Sequence, residues 1–226
     1  FKQKTAYEIP KRDWSSDVCS SDLAAASPYI LSVHPSLPVK SVKELAAYAK
    51  ANPAKLNYAS TGNASLAHLA GELFALSIGA KLTHVPYKGV GAALTDLLSG
   101  QVQMSFLSGG SVYGQVRSQK LRALAIASTQ RAKIAPDLPT MAEAGVPNYA
   151  VTQWHGLLTP RATPRAVIER LHKEVVRAAQ LPDTVTRLAQ DGTEPVASAP
   201  EQFAKFLAAE RDQWARVAKS ANLRAE

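Results

Sequence analysis

Three times between Leu56 and Lys120 the chain repeats one arrangement: a short apolar run, a turn rich in glycine and serine, then a segment of helical period. The runs are LNYAS (56–60), KLTHVPY (81–87) and VQMSFL (102–107), and the turns after them are TGN, KGVG and SGGS. LRALAIAS (121–128) adds an apolar strand of the kind buried in a parallel sheet. Strands alternating with helices predict an α/β fold with a mostly parallel sheet. In such a sheet the turns at the carboxyl ends of the strands open on one side, where ligands bind.

The flanks obey the same rules. Tyr29–Val33 reads as a strand ended by HPSLP, and Ser41 with Glu44 forms a capping box for a helix that stops at Asn52-Pro53. In SLAHLAGELFALSIGA, Leu66, Leu69, Leu73 and Leu76 define an apolar face. Thr140 and Glu143 box a short helix ended by Gly145, and YAVTQWHGLLTP (149–160) is extended. Thr163-Pro164 opens one helix, Pro182 to Gly192 is a second, and Ser198 with Glu201 caps a long third bearing Phe203, Leu207 and Trp214. These three helices have apolar faces and only PVASA (195–199) nearby as a strand to cover them. The expectation is a covering piece on the N-terminal side that this chain lacks.

At 226 residues the chain holds one or two domains, and no apolar stretch approaches the roughly 20 residues of a membrane span. Net charge is +8, concentrated in residues 24–160, which hold 11 Lys and Arg against 5 Asp and Glu. From 161 on the balance is 11 against 9. A basic surface attracts anions, but these cations occur singly without interleaved aromatics, so nucleic acid is not the expected partner. Cys19 is the only cysteine, which excludes an intrachain disulfide.

The most informative turn is YASTGNAS (58–65). Ser60, Thr61, Asn63 and Ser65 offer hydroxyls and an amide, Gly62 lets backbone approach a ligand, and the following helix presents free N–H groups. YKGVGAAL (87–94) repeats the pattern with Gly89 and Gly91. Leu94 stands where a dinucleotide fingerprint needs its third glycine, no ribose-binding acid follows, and no Walker lysine is present, so no nucleotide or other cofactor is expected. Ser108 begins the third such turn. His34, His68, His84, His155 and His172 fall at no metal-ligand spacing. His68 and His172 read as structural, Asp96 as solvated, and no general base is evident beside the serines. The pattern argues for binding rather than catalysis.

Six motifs in order, PYILSVHPSLPVKSVKEL, LNYASTGNASLAHLAGELF, HVPYKGVGAALTDLLSGQVQMSF, LRALAIAS, DLPTMAEAGVP and WHGLLTPRATP, resemble the tripartite tricarboxylate transporter substrate-binding proteins, also called the Bug receptor family. The resemblance implies a periplasmic, monomeric solute receptor of the type II periplasmic-binding-protein-like two-lobe fold. It would capture a small carboxylate and deliver it to membrane permease subunits. It assigns ligand-binding roles to Ser60, Thr61, Gly62, Asn63 and Ser65, to Lys88, Gly89 and Gly91, and to Ser108, with His155 beside Trp154 at an interlobe crossing. The family's carboxylate loop works through hydroxyls, main-chain amides and water, without an arginine clamp. In the family's layout residues 24–155 form the second lobe and 156–226 the helical return to a first lobe largely missing here. The alternative is the effector-binding domain of a LysR-type regulator, which shares the architecture.

Residues 1–23 show neither period nor apolar run and resemble a translated sequencing-adapter peptide. They are expected to be non-native and disordered, in place of a lost signal peptide and N-terminus.

Overall fold

The structure, a computed structural model, describes residues 18–221 and 223. These divide into two compact units, one of Pro28–Gln153 and one of the residues up to Ser27 together with those from Trp154 on. Strand β1 (Val18–Val33) runs through both. The strand therefore starts ahead of the expected position, and Val18–Leu23 are not the disordered segment anticipated for residues 1–23. Leu23 is buried, and the buried Asp22 carboxylate pairs with His172, so this charged group inside the strand is satisfied. Residues 1–17 lie outside the described residues.

The Pro28–Gln153 unit continues with α1 (Val42–Ala51), β2 (Asn57–Ser60), α2 (Leu66–Ile78), β3 (Thr83–Pro86), α3 (Val90–Leu98), β4 (Met104–Ser108), α4 (Gly109–Arg117) and β5 (Arg122–Ile126). Strand order is β3-β2-β4-β1-β5. β2 is parallel to β3 and β4, but β1 runs antiparallel to both β4 and β5. The sheet is mixed, and β5 is not the parallel-paired strand its apolar sequence suggested. β1 enters this unit at Tyr29, opposite the last residue of β4, Ser108, and so must run back along its neighbours. Apolar content reports burial but not strand direction.

Ile30, Leu31 and Val33 of β1, Tyr58 of β2, and Met104, Phe106 and Leu107 of β4 are buried. Phe74, Phe106 and Tyr149 form an aromatic cluster with centroids 5.6–6.4 Å apart. α2 does not bury the leucine face expected of it: Leu69 is buried, Leu66 and Leu73 are half-buried, and Leu76 is exposed. The buried face is Ala67, Ala70, Gly71, Phe74 and Ile78. Tyr58 requires this, because a Cβ on Gly71 would lie 2.2 Å from its ring.

Capping follows the sequence in this unit. Ser41 Oγ accepts from the Glu44 amide at 3.2 Å, while the Glu44 carboxylate accepts from the Lys40 amide at 2.7 Å. The Thr140–Glu143 box is made in both directions, at 2.7 and 3.2 Å. It opens only turns, not the expected short helix: one Ala144 N–H to Thr140 carbonyl bond forms before Gly145, at φ +97°, reverses the chain.

β6 (Thr152–Pro160), which enters the other unit at Trp154, and β7 (Glu194–Pro195) pair with β1, β7 antiparallel at Ala25 and Ala26. α5 (Arg165–Ala179), α6 (Pro182–Gln190) and α7 (Pro200–Ser220) follow. Trp154 packs edge-on against Phe203 and Phe206 at 5.6 and 5.9 Å. The Trp154 and Trp214 indoles both donate to Glu210. α7 buries Phe203, Trp214 and Val217, whereas α5 and α6 bury no residue fully. Neither Thr163 nor Ser198 caps a helix. The N-caps are Pro164 and Ala199, one residue later in each case, because Pro164 is still extended (ψ 140°) and Pro200 takes the first helical turn. No helix among the described residues is long and apolar enough to cross a membrane.

Candidate functional site

The parallel order β3-β2-β4 brings three strand ends, at Ser60, Pro86 and Ser108, to one edge of the Pro28–Gln153 unit. Each leads to a helix start: Ser65 caps α2, Gly89 caps α3 and Ser108 caps α4. A helix cannot satisfy its first N–H groups internally, and its dipole adds positive potential there. The edge thus presents the amides of Leu66 and Ala67, of Val90, Gly91 and Ala92, and of Gly109 and Gly110. No aspartate or glutamate occurs in residues 60–66, 86–92 or 108–112, and Lys88 is their one cation. The edge is rich in donors and suits a small anion.

The sequence-expected residues take distinct places on it. Thr61 is half-buried and Asn63 exposed. Gly62 adopts φ +138°, which an L side chain rarely takes, and the Tyr87 amide donates to the Ser60 carbonyl at 3.1 Å, tying the first two turns together. Ser65 Oγ accepts from the His68 amide at 3.3 Å, and the Ser65 amide donates to the Gly62 carbonyl. Lys88 is exposed and Gly89, at φ +102°, makes the second turn. Gly91 sits not in the turn but in the first turn of α3. Ser108 Oγ meets Ser111 Oγ at 2.7 Å. His155 belongs to the other unit, exposed on β6. Asp96 is half-buried rather than solvated, since it accepts the Tyr87 hydroxyl at 2.7 Å.

Ser60 departs most from expectation. It is fully buried, its hydroxyl donates to the Gly62 carbonyl at 2.9 Å and accepts from the Gly62 amide at 3.2 Å, and it lies 2.6 Å from His84 Nε2. A histidine therefore does stand beside the serine, where the sequence indicated no base. The two are 24 residues apart and meet because β2 and β3 pair with Tyr58 opposite His84; only knowledge of that pairing reveals them. Burial and the neighbouring His68 push the His84 pKa down to about 4. A hydroxyl with no exposed surface and three polar neighbours has no room to attack a substrate. This pair shapes the loop. No group of three or more metal-ligating side chains occurs among the described residues.

A layered α/β unit with a donor-rich edge at its strand ends belongs to the class of open α/β folds that take ligands at the carboxyl ends of their strands, and comparison with known proteins narrows it. The family model described as "Tripartite tricarboxylate transporter family receptor" matches residues 5–223. Protein BugT of Bordetella pertussis is 36% identical over 203 residues, covering 90% of this chain and 62% of that protein. Among solved structures, Rpa4515 of R. palustris with adipate superposes with a TM-score of 0.80 at 33% identity, covering 96% of this chain and 73% of that one. MatC (Rpa3494) of Rhodopseudomonas palustris with bound malate gives a TM-score of 0.77 at 30% identity, covering 93% and 74%. The chain belongs to the tripartite tricarboxylate transporter receptor family. That removes the LysR-type effector domain as a reading of this fold. The chain spans about three-fifths of the length of its curated relatives, 58% and 62% for two of them.

Proposed function

We infer that the protein is a receptor that captures a small carboxylate at the strand-end edge of the Pro28–Gln153 unit. Thr61, Asn63 and Ser65, the Lys88 ammonium, the Ser108 hydroxyl and the amides of Gly62 and of Gly89–Ala92 meet the carboxylate, while Ser60 holds the turn from beneath. His155, beside the crossing at Trp154, lines the cleft of the complete receptor. In that receptor Pro28–Gln153 is the second lobe and the residues from Trp154 return to the first. It works in the periplasm, as a monomer, and hands its ligand to membrane permease subunits. One observation carries the reading: three parallel strands end side by side in helix N-termini, with donors throughout and no carboxylate among them. Relatives bound to adipate and malate support the ligand class.

The test is titration of the 15N-labelled chain with adipate and with malate, following its backbone amides. Shifts concentrated at residues 61–67, 89–92 and 108–111, and reduced by Gly62→Val, are the expected result. Shifts confined to other residues, or none with either acid, overturn it.

A further inference from the structure

Beneath the 61–65 turn, His68 on α2 and His84 on β3 stack face to face, with ring centroids 3.5 Å apart and planes within 10°. His68 Nδ1 accepts the Ala64 N–H at 3.0 Å, so its ring proton lies on Nε2, 3.8 Å from Glu72 Oε1. Glu72 in turn accepts the Tyr58 hydroxyl at 2.6 Å. Because Ser60 directs its proton to the Gly62 carbonyl, His84 Nε2 is the donor in the 2.6 Å bond to Ser60 Oγ. His68 is thus held as the neutral Nε2–H tautomer by the turn it supports. A protonated His68 carries N–H on both nitrogens and has no lone pair left for Ala64. Ala64 itself sits at φ +55°, a conformation that a residue with a side chain keeps only when its surroundings impose it.

We propose that His68, stacked on His84, is a proton-sensitive positioning residue for the 61–65 turn. While neutral it holds the Ala64 amide and keeps the turn in its binding shape; on protonation it releases that amide and carboxylate binding weakens. The proposal rests on the carboxylate reading above. The titratable groups facing the pair are Tyr58 from β2 and Glu72 from α2. Tyr87 with Asp96 of α3 closes the adjoining turn, and Tyr149 donates to the Ala70 carbonyl of α2. Burial lowers the pKa of His68 against the opposing pull of Glu72. Two stacked cations repel, so the pair resists taking up a second proton.

The deciding measurement follows the Ala64 amide and the His68 imidazole nitrogens of the 15N-labelled chain from about pH 8 to about pH 5, across the range in which histidine titrates. The expected result is an Nε2–H tautomer at high pH and an Ala64 resonance that moves in step with His68 protonation. His68→Asn places Oδ1 where Nδ1 stood and cannot titrate, so its Ala64 resonance should hold still. Adipate affinity, read on the same samples, should fall roughly fivefold more on acidification in the parent than in His68→Asn, the worth of about one hydrogen bond. The acid's own protonation is common to both and cancels. An Ala64 amide indifferent to His68 titration, or one that moves equally in His68→Asn, overturns the proposal. Ala64 tracking His68 with no adipate bound at any pH keeps the latch and sinks the carboxylate reading instead.

Discussion

The Pro28–Gln153 unit and the unit that holds α5–α7 are built from similar residues and differ in what covers them. Among the described residues, 35 of the 40 buried hydrophobic residues lie in Pro28–Gln153, while six of the eight large exposed ones, Leu157, Leu158, Val167, Leu181, Val185 and Val196, lie in the other. Its α7 does bury an aromatic face, so the expectation of three uncovered helices holds for α5 and α6 only. Helical apolar period alone does not stabilise a helix; burial of that face does. The comparison predicts one unit with most of the stability and one that depends on little more than the Trp154–Phe203–Phe206 cluster.

The largest effect should come from the aromatic cores. Pro28–Gln153 contains no tryptophan, so Trp154 and Trp214 report on their own unit while far-ultraviolet circular dichroism reports on both. Phe74→Ala should cost about 3–5 kcal/mol of its unit's stability and lower the dichroism midpoint in urea while leaving the emission midpoint in place. Phe203→Ala should lower the emission midpoint and shift only that unit's share of the dichroism change. If each variant moves both probes equally, the chain unfolds as one body and the contrast collapses.

Acid should separate the units further, with opposite signs. His68 and His84 are held below their ordinary pKa, His84 at about 4, so the unfolded chain binds protons more readily. The stability they contribute is complete above the ordinary histidine value of 6.5 and is lost as pH falls toward about 4. Burial raises the Glu210 pKa against the pull of its two indole donors. Its contribution is complete below the ordinary value of 4.5 and is lost as pH rises through the raised one. On acidification the dichroism midpoint should therefore fall, and His84→Gln should blunt that fall. Glu210→Gln should flatten the pH dependence of the emission midpoint; an unaltered slope in either variant breaks the assignment.

Helix starts give the smallest effect and sharpen the contrast. α1 and α2 have serine caps, whereas α5, α6 and α7 begin at Pro164, Leu181 and Ala199 with no side-chain cap bond. Ser65→Ala should cost about 1 kcal/mol, and Leu181→Asp should add up to about 1 kcal/mol to the other unit. Emission melts read the α5–α7 unit alone and dichroism melts read both, so the two changes can be told apart, and a destabilising Leu181→Asp would show that Leu181 packs rather than idles.

What was legible in the sequence was local. The three strand–turn–helix repeats, the Ser41 cap, and the turns at Gly62 and Gly89 depend on backbone geometry within a few residues, and the sequence states that geometry directly. The α/β class followed, and six ordered motifs carried the family. Tertiary structure decided what depends on distant partners. β1 runs antiparallel because of the neighbour it meets, and the Thr140–Glu143 box failed to open a helix because Gly145 follows too soon. α2 turned its small residues inward because Tyr58 stands against Gly71. Ser60, read as a ligand hydroxyl, went under the loop to His84, a partner 24 residues away that no local pattern announces. Periodicity records which residues a helix or strand can bury, whereas pairing between elements selects which of them it does.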